Sequence, residues 1–277
     1  MRTQNAELDH RMTALIRVDP QPGRERPFVI ACLALLVALC WACLVFRALG
    51  MANVAPQALS TGIPGAALGA IPPPYRLSEL GLVLGMWGAM LSAILLPATT
   101  PAILLFARIS RLVHTVRFPK LATLMFIQGC LLVWGGFGAL ATLAQWALHD
   151  IGALDAGMAV DNGNACGLVL VAAGVYQWTP AKHACLQHCQ APLSFMVTGW
   201  RRGLFGALRM GAAHGLVCIG CCWLLTLLLF AAGVTNLGAL LGLAGLVMLE
   251  KLVPGGPVVA CVAGLGLVAW GTLLLFP

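Results

Sequence analysis

Charge is what this chain has least of. Charged residues make up 9% of its 277 positions against 60% hydrophobic ones, and mean hydropathy is +0.93. A water-soluble domain carries about a quarter charged residues, so a soluble globular fold is excluded, and no segment reads as a soluble domain. Acidic residues are scarcer still, and after Asp161 only Glu250 remains. No Ser/His/Asp order, phosphate-binding glycine loop or HExxH pattern is present, which sets aside the familiar hydrolase, nucleotide-binding and zinc-protease readings. Internal repeats are lacking as well. The first apolar run ends without a small-residue cleavage site, so it is expected to be a retained anchor helix and not a signal peptide.

What the chain does have is apolar helix. Spanning a hydrocarbon core takes roughly 20 such residues, and seven runs qualify: 28–46, 79–106, 121–148, a short one at 164–179, 210–232, 236–252 and 257–276. The expected fold is therefore all-α, a polytopic transmembrane bundle of about seven helices. It comprises a basic cytoplasmic tail over 1–27 and one transmembrane domain over 28–277. Lys and Arg settle the expected orientation, because cytoplasmic loops collect them. With the N-terminus inside, the inner segments hold fourteen, among them Lys182, Arg209 and Lys251, and the outer ones keep only Arg47 and Arg76. The outer segment 149–163 carries Asp150, Asp155 and Asp161 and no basic residue. The formal net charge of +7 thus reflects orientation in a bilayer and gives no reason to invoke nucleic acid. The proline- and glycine-rich stretch from about 48 to 77 reads as irregular outer loop. Trp87, Trp134, Trp146, Trp178 and Trp200 mostly fall near span ends, where interfacial aromatics belong.

The eleven cysteines divide into two groups. Cys32, Cys40, Cys43, Cys130, Cys166 and Cys261 stand singly among apolar neighbours and read as packing residues. The other five, with three histidines, fall within 40 positions: His183, Cys185, His188, Cys189, His214, Cys218, Cys221 and Cys222. Thiolates and imidazoles suit borderline-soft metals, and thiols facing the cytoplasm stay reduced. Cys185 and Cys189 are one helical turn apart, in a helix that Thr179 can cap with Pro180 at its first position; because the fourth span is short, its helix is expected to run on past Pro180 and bring this pair alongside Cys218, in one site or two neighbouring ones. His214, Cys218, Cys221 and Leu225 follow an i, i+4, i+7, i+11 stripe on one face of the fifth span, and Cys222 borders it. From Arg209 inward at 1.5 Å per residue, His214 lies about 7 Å deep and Cys218 about 13 Å. The alternative is close helix packing, since Gly211, Gly215 and Gly220 flank the stripe and Gly211/Gly215 and Gly238/Gly242 are small-xxx-small pairs. Folding the hairpin near Gly233–Asn236 puts Glu250 level with Cys218. There it is placed to ligate, to orient His214, to relay protons, or to pair with Lys251 or Arg209 while Lys251 snorkels to the surface. Met86 and Met90 share a face and read as core rather than as thioether ligands.

These residues carry a family resemblance. Through YQWTPAKHACLQHCQAP, GALRMGAAHGLVCIGCCW and LVMLEK, and upstream through GMWGAMLSAILLPATTP, the chain resembles a bacterial family of predicted metal-binding integral membrane proteins of unknown function, over about 80–277. The resemblance implies metal binding at Cys185, Cys189, His214, Cys218, Cys221, Cys222 and Glu250; His188 joins the candidates by position. Gln190 stands where a basic residue is usual, and Ile94 and Leu95 where paired methionines are frequent. The leading expectation is an inner-membrane protein binding a soft transition metal near its cytoplasmic half, copper before zinc or iron, for handling or delivery. Its partners are then the lipid bilayer and a soluble metal-binding protein or other membrane subunits. A membrane metalloenzyme acting on a lipophilic substrate or O2 is the alternative. A metal transporter is a third reading, disfavoured by spans that read as unbroken by midplane proline or glycine.

Overall fold

The computed structural model describes residues 26–60, 77–112, 118–155 and 158–276. Among them are nine helices and no strand beyond a single antiparallel bridge between Leu154 and Val160. In chain order these are α1 (Arg26–Ser60), α2 (Leu77–Leu112), α3 (Pro119–Asp150), α4 (Gly163–Tyr176), α5 (Pro180–Gln190), α6 (Pro192–Thr198), α7 (Gly203–Ala232), α8 (Leu237–Leu252) and α9 (Gly256–Leu275). All seven apolar runs are helical. The stretch from 48 is not irregular as expected: α1 continues to Ser60, carried by good helix formers such as Ala52, Ala55 and Gln57. Residues 61–76 of that expected loop, and the tail up to residue 25, lie outside the described residues.

Helix starts follow local chemistry. Proline, which has no amide hydrogen to lose, occupies the first turn of α3, α5, α6 and α9. Asn162, Thr179 and Asn236 cap α4, α5 and α8 by accepting the backbone amides of Ala165, Lys182 and Ala239. Gly233, at φ 93°, ends α7 and turns the chain into α8. Five helices are long and apolar enough to cross a membrane, within α1, α2, α3, α7 and α9. Helices α4, at 14 residues, and α8, at 16, are shorter.

Two seams fix the bundle. Along α3 and α7, a side chain on Gly211 would collide with the Phe126 carbonyl and one on Gly129 with that of Leu208, so the two backbones touch. Gly215 continues the seam, with Cys130 Cα 3.1 Å from where its Cβ would be. Along α4 and α9 the contact is reciprocal: a Cβ on Gly174 would lie 2.7 Å from the Gly264 carbonyl oxygen, and one on Gly264 2.8 Å from that of Gly174. Small residues permit such approach where lipid supplies no hydrophobic drive between helices. The expected Gly238/Gly242 contact is not made; nothing lies within 4 Å of a Cβ built at Gly242. Trp87 and Trp134 are buried in the core and not interfacial, and Trp87 Nε1 donates to Gln145 Oε1 at 2.9 Å. Met90 packs in the same core.

Helix α2 departs from the expectation of unbroken spans, because it contains Pro97 and Pro101. Each proline removes one intrahelical hydrogen bond. Thr99 and Thr100 turn their hydroxyls onto the Leu95 and Leu96 carbonyls, at 2.7 and 2.9 Å. This weakened turn of α2 faces the thiols described next.

Candidate metal centre

Helix α7 presents the expected stripe inward: His214, Cys218, Cys221 and Leu225 are all buried, as is Cys222. Helix α5 is laid against it. The chain leaves α4 at Tyr176, turns through Gln177–Thr179, and restarts as α5 under the Thr179 cap, so the two helices are hinged and not continuous. Within α5, Lys182, Cys185, Leu186 and Cys189 follow an i, i+3, i+4, i+7 pattern, and the middle of this face is fully buried at Leu186.

This docking merges the two cysteine groups. Cys189 Sγ lies 3.7 Å from Cys221 Sγ and 4.0 Å from Cys218 Sγ. Cys185, one turn back, has its sulfur 3.0 Å from where a side chain on Gly220 would begin. Cys222 donates its thiol to the Cys218 carbonyl at 3.2 Å, and Thr99 Oγ1 from α2 lies 3.8 Å from Cys218 Sγ. His214 sits between the rings of Phe126 and Phe195, with centroids 5.9 and 6.1 Å away, beside the Cys218 thiol. All these cysteines are free thiols. His188 is exposed on α5, with Nδ1 turned back to the Ala184 carbonyl at 2.8 Å. Among the described residues, no group of three or more His, Cys, Asp or Glu is set to hold a metal ion as it stands.

Beneath the thiols lies a polar anchor. Glu250 is buried, and its carboxylate accepts Gln177 Nε2 at 2.8 Å on one oxygen and Lys182 Nζ at 2.5 Å on the other. Its ion-pair partner is thus Lys182, neither Lys251 nor Arg209. Lys182, itself completely buried, also donates to the Cys221 carbonyl at 2.6 Å. Gln190 Nε2 donates to the carbonyls of Glu250 and Val253, at 2.8 and 3.0 Å, which caps the end of α8 where a basic residue was expected. Four side chains of the α4–α5 segment and α8 therefore pin α5 onto α7 and α8.

Residues 84–274 match the family described as PpoB2, a copper chaperone. The chain belongs to this copper-chaperone family. No curated protein and no solved structure matches it. The matched segment runs from α2 to α9 and contains every residue of the thiol cluster and of its polar anchor. A copper-related function follows, in keeping with the soft donors.

Sequence spacing missed Lys182, Gln177 and Thr99. Lys182 counted only as a cytoplasmic flanking charge, although its place on the face of Cys185 and Cys189 was a signal. Lys251 does not snorkel: it is 4% exposed, and Nζ has no hydrogen-bond partner among the described residues.

Proposed function

We propose that this chain is a seven-span protein of the bacterial inner membrane that takes up Cu(I) on Cys189, Cys218 and Cys221 and hands it on. The observation that carries the reading is the meeting of thiols from two separate helices, inside a copper-chaperone family member. Two thiolates at the zinc–sulfur distance of about 2.3 Å and a tetrahedral angle stand ~3.8 Å apart, so a span of this size lets one thiophilic ion bridge a pair without choosing the metal. The sulfur pairs here, at 3.7 and 4.0 Å, have that span. Thiolates select Cu(I), a soft ion satisfied by few sulfur donors, which puts zinc and iron behind it.

In this reading Cys185, Cys222 and His214 are the neighbouring donors through which the ion exchanges, and His188 lies on the approach. Glu250 acts indirectly, by holding α5 in place through Lys182 and Gln177. The N-terminus and the thiols face the cytoplasm, as the distribution of Lys and Arg favours, with residues 28–277 forming one membrane domain. A soluble metal-binding protein on that side is the natural exchange partner. Protein purified without oxygen in mild detergent should bind Cu(I) against a chromogenic chelator. Cys189→Ser and the double variant Cys218→Ser/Cys221→Ser should lose most of that copper, while Cys261→Ala keeps it. Full copper stoichiometry in both thiol variants would refute the ligand set.

One observation favours a transport variant of the same reading. The proline-interrupted turn of α2 touches Cys218 through Thr99, and broken helices beside a binding site are common in transporters. Cu(I) uptake into proteoliposomes separates transport from delivery.

A further inference from the structure

From Cys222 to the end of α7 at Ala232 is about 15 Å of helix. Beyond it, at the α7–α8 turn, lies a cavity that has no part in the metal centre. Its volume is about 130 Å³, and α1, α2, α3, the turn and α8 all contribute to its lining. Leu44 and Ala48 of α1 and Leu240 of α8 give it apolar walls, and Arg47, Gln145 and Thr235 give it polar ones. Gln145 is 1% exposed, and its carbonyl oxygen accepts Trp87 Nε1, which fixes the amide in the wall. Arg47 is exposed, and no hydrogen bond or ion pair joins its guanidinium to a described residue. No Asp or Glu among the described residues lines the cavity, so the one charge on it is positive.

We propose that this cavity holds the phosphate of an anionic phospholipid, with Arg47 as its counter-charge and an acyl chain lying in the gap between α1 and α8. A cation set beside an amide, a hydroxyl and apolar walls suits an anion that carries a hydrocarbon chain. The volume is below the ~300 Å³ at which pockets for drug-sized molecules begin, so a headgroup fits and a whole lipid does not. The chain has to leave sideways, and the fold leaves room for it. Helix α1 packs on α2, barely touches α8, and buries only Leu33 and Leu44 among its described side chains. It is also one of the five helices long and apolar enough to cross a membrane, so in a bilayer this gap opens onto lipid. Bound there, the lipid fastens α1 to α8 where protein contacts are sparse, and the guanidinium gains a partner whose geometry its fork matches. The inference stands apart from the copper reading, because no residue of the cavity belongs to the thiol cluster or its anchor.

The test is native mass spectrometry and thermal melting of the full chain in mild detergent. Phosphatidylglycerol, phosphatidylcholine with the same chains, a free fatty acid and inorganic phosphate are added in turn. Phosphatidylglycerol should bind as a single copy, raise the melting temperature, and bind more tightly than phosphatidylcholine, whose own ammonium cancels its charge. Arg47→Gln should weaken that binding about 10–100-fold, and Arg47→Lys should weaken it less, since it keeps the charge but not the fork. Ala48→Phe, which fills the cavity from the peripheral helix, should abolish it. All three variants should melt like wild type without lipid; should Ala48→Phe melt low, Arg47→Gln decides alone. Equal binding of the two phospholipids, or tighter binding of the fatty acid, would overturn the inference. So would displacement by inorganic phosphate, which would mark a plain anion site, or unchanged phosphatidylglycerol binding in Arg47→Gln. Wild-type protein that binds this lipid but no Cu(I) would sink the copper reading and leave the inference standing.

Discussion

At the scale of single residues, Glu250 has a definite job that its neighbours dictate. Both carboxylate oxygens are engaged, one by Gln177 and one by Lys182, and none of the three side chains is exposed. Removing one member of such a pair strands the other without water or counter-charge. Glu250→Gln should therefore destabilise the detergent-solubilised protein by about 3–5 kcal/mol, read as a drop in thermal or denaturant midpoint. Replacing both Glu250 and Lys182 by methionine should restore most of that stability, since apolar substitution of a whole buried pair is often neutral. A double variant as unstable as the single one would mean that Lys182 matters chiefly through its bond to the Cys221 carbonyl. Glu250 was legible as important from the sequence because acidic residues are so scarce there. Its partner was not, because Lys182 lies 68 positions away and inter-helix register is set by packing, which spacing along the chain does not encode. The His214 stripe was legible for the opposite reason: its four positions lie on one helix, and helical geometry alone puts them on one face.

At the scale of elements, α5 decides the site. Its 11 residues carry two cysteines of the cluster and the lysine of the anchor, and its direction is fixed by the Thr179 cap after the turn that ends α4. Thr179 and Pro180 announced that start in the sequence, and the cap forms as expected. That the Cys185/Cys189 pair would come beside the Cys218 stripe was legible from the short fourth span; that it does so on a hinged helix, docked by Gln177 and Lys182 on an acid of α8, was not. Thr179→Ala should cost about 1 kcal/mol of stability. It should also weaken Cu(I) binding about fivefold, because a frayed α5 start loosens the helix that delivers Cys189. Chelator competition and thermal melting on the same sample check both numbers; weakened binding with no change in melting would point to a direct contact of the threonine with the ion route. The short α6 was not anticipated, as an isolated turn of helix after Pro192 leaves little periodicity to detect. The Gly238/Gly242 motif misled, since small residues permit close contact but do not supply a facing helix.

At the scale of the whole molecule, each of the seven apolar runs falls on a helix, and five of those helices are long and apolar enough to cross a membrane, a property that hydropathy detects well. Orientation is a different matter, resting on the excess of Lys and Arg in inner segments. It predicts that a reporter active only in the periplasm will be active when fused after residue 276 and silent when fused within 195–202; the reverse pattern would invert the topology and put the thiols on the outer side. One consequence of the short α4 reaches beyond the fold. Its 14 residues rise only about 21 Å, against a hydrocarbon layer of about 30 Å. If, as proposed, its outer end lies at the interface, the α4–α5 hinge would fall short of the opposite surface, and the bilayer would have to thin there or the protein enclose a dent in it. On that reading the sulfur atoms would sit at the bottom of the dent, below the headgroups. Small thiol scavengers would then meet them rarely, while a partner with a slender protruding loop would reach them directly, and bilayer thickness itself would become a control on who receives the cargo.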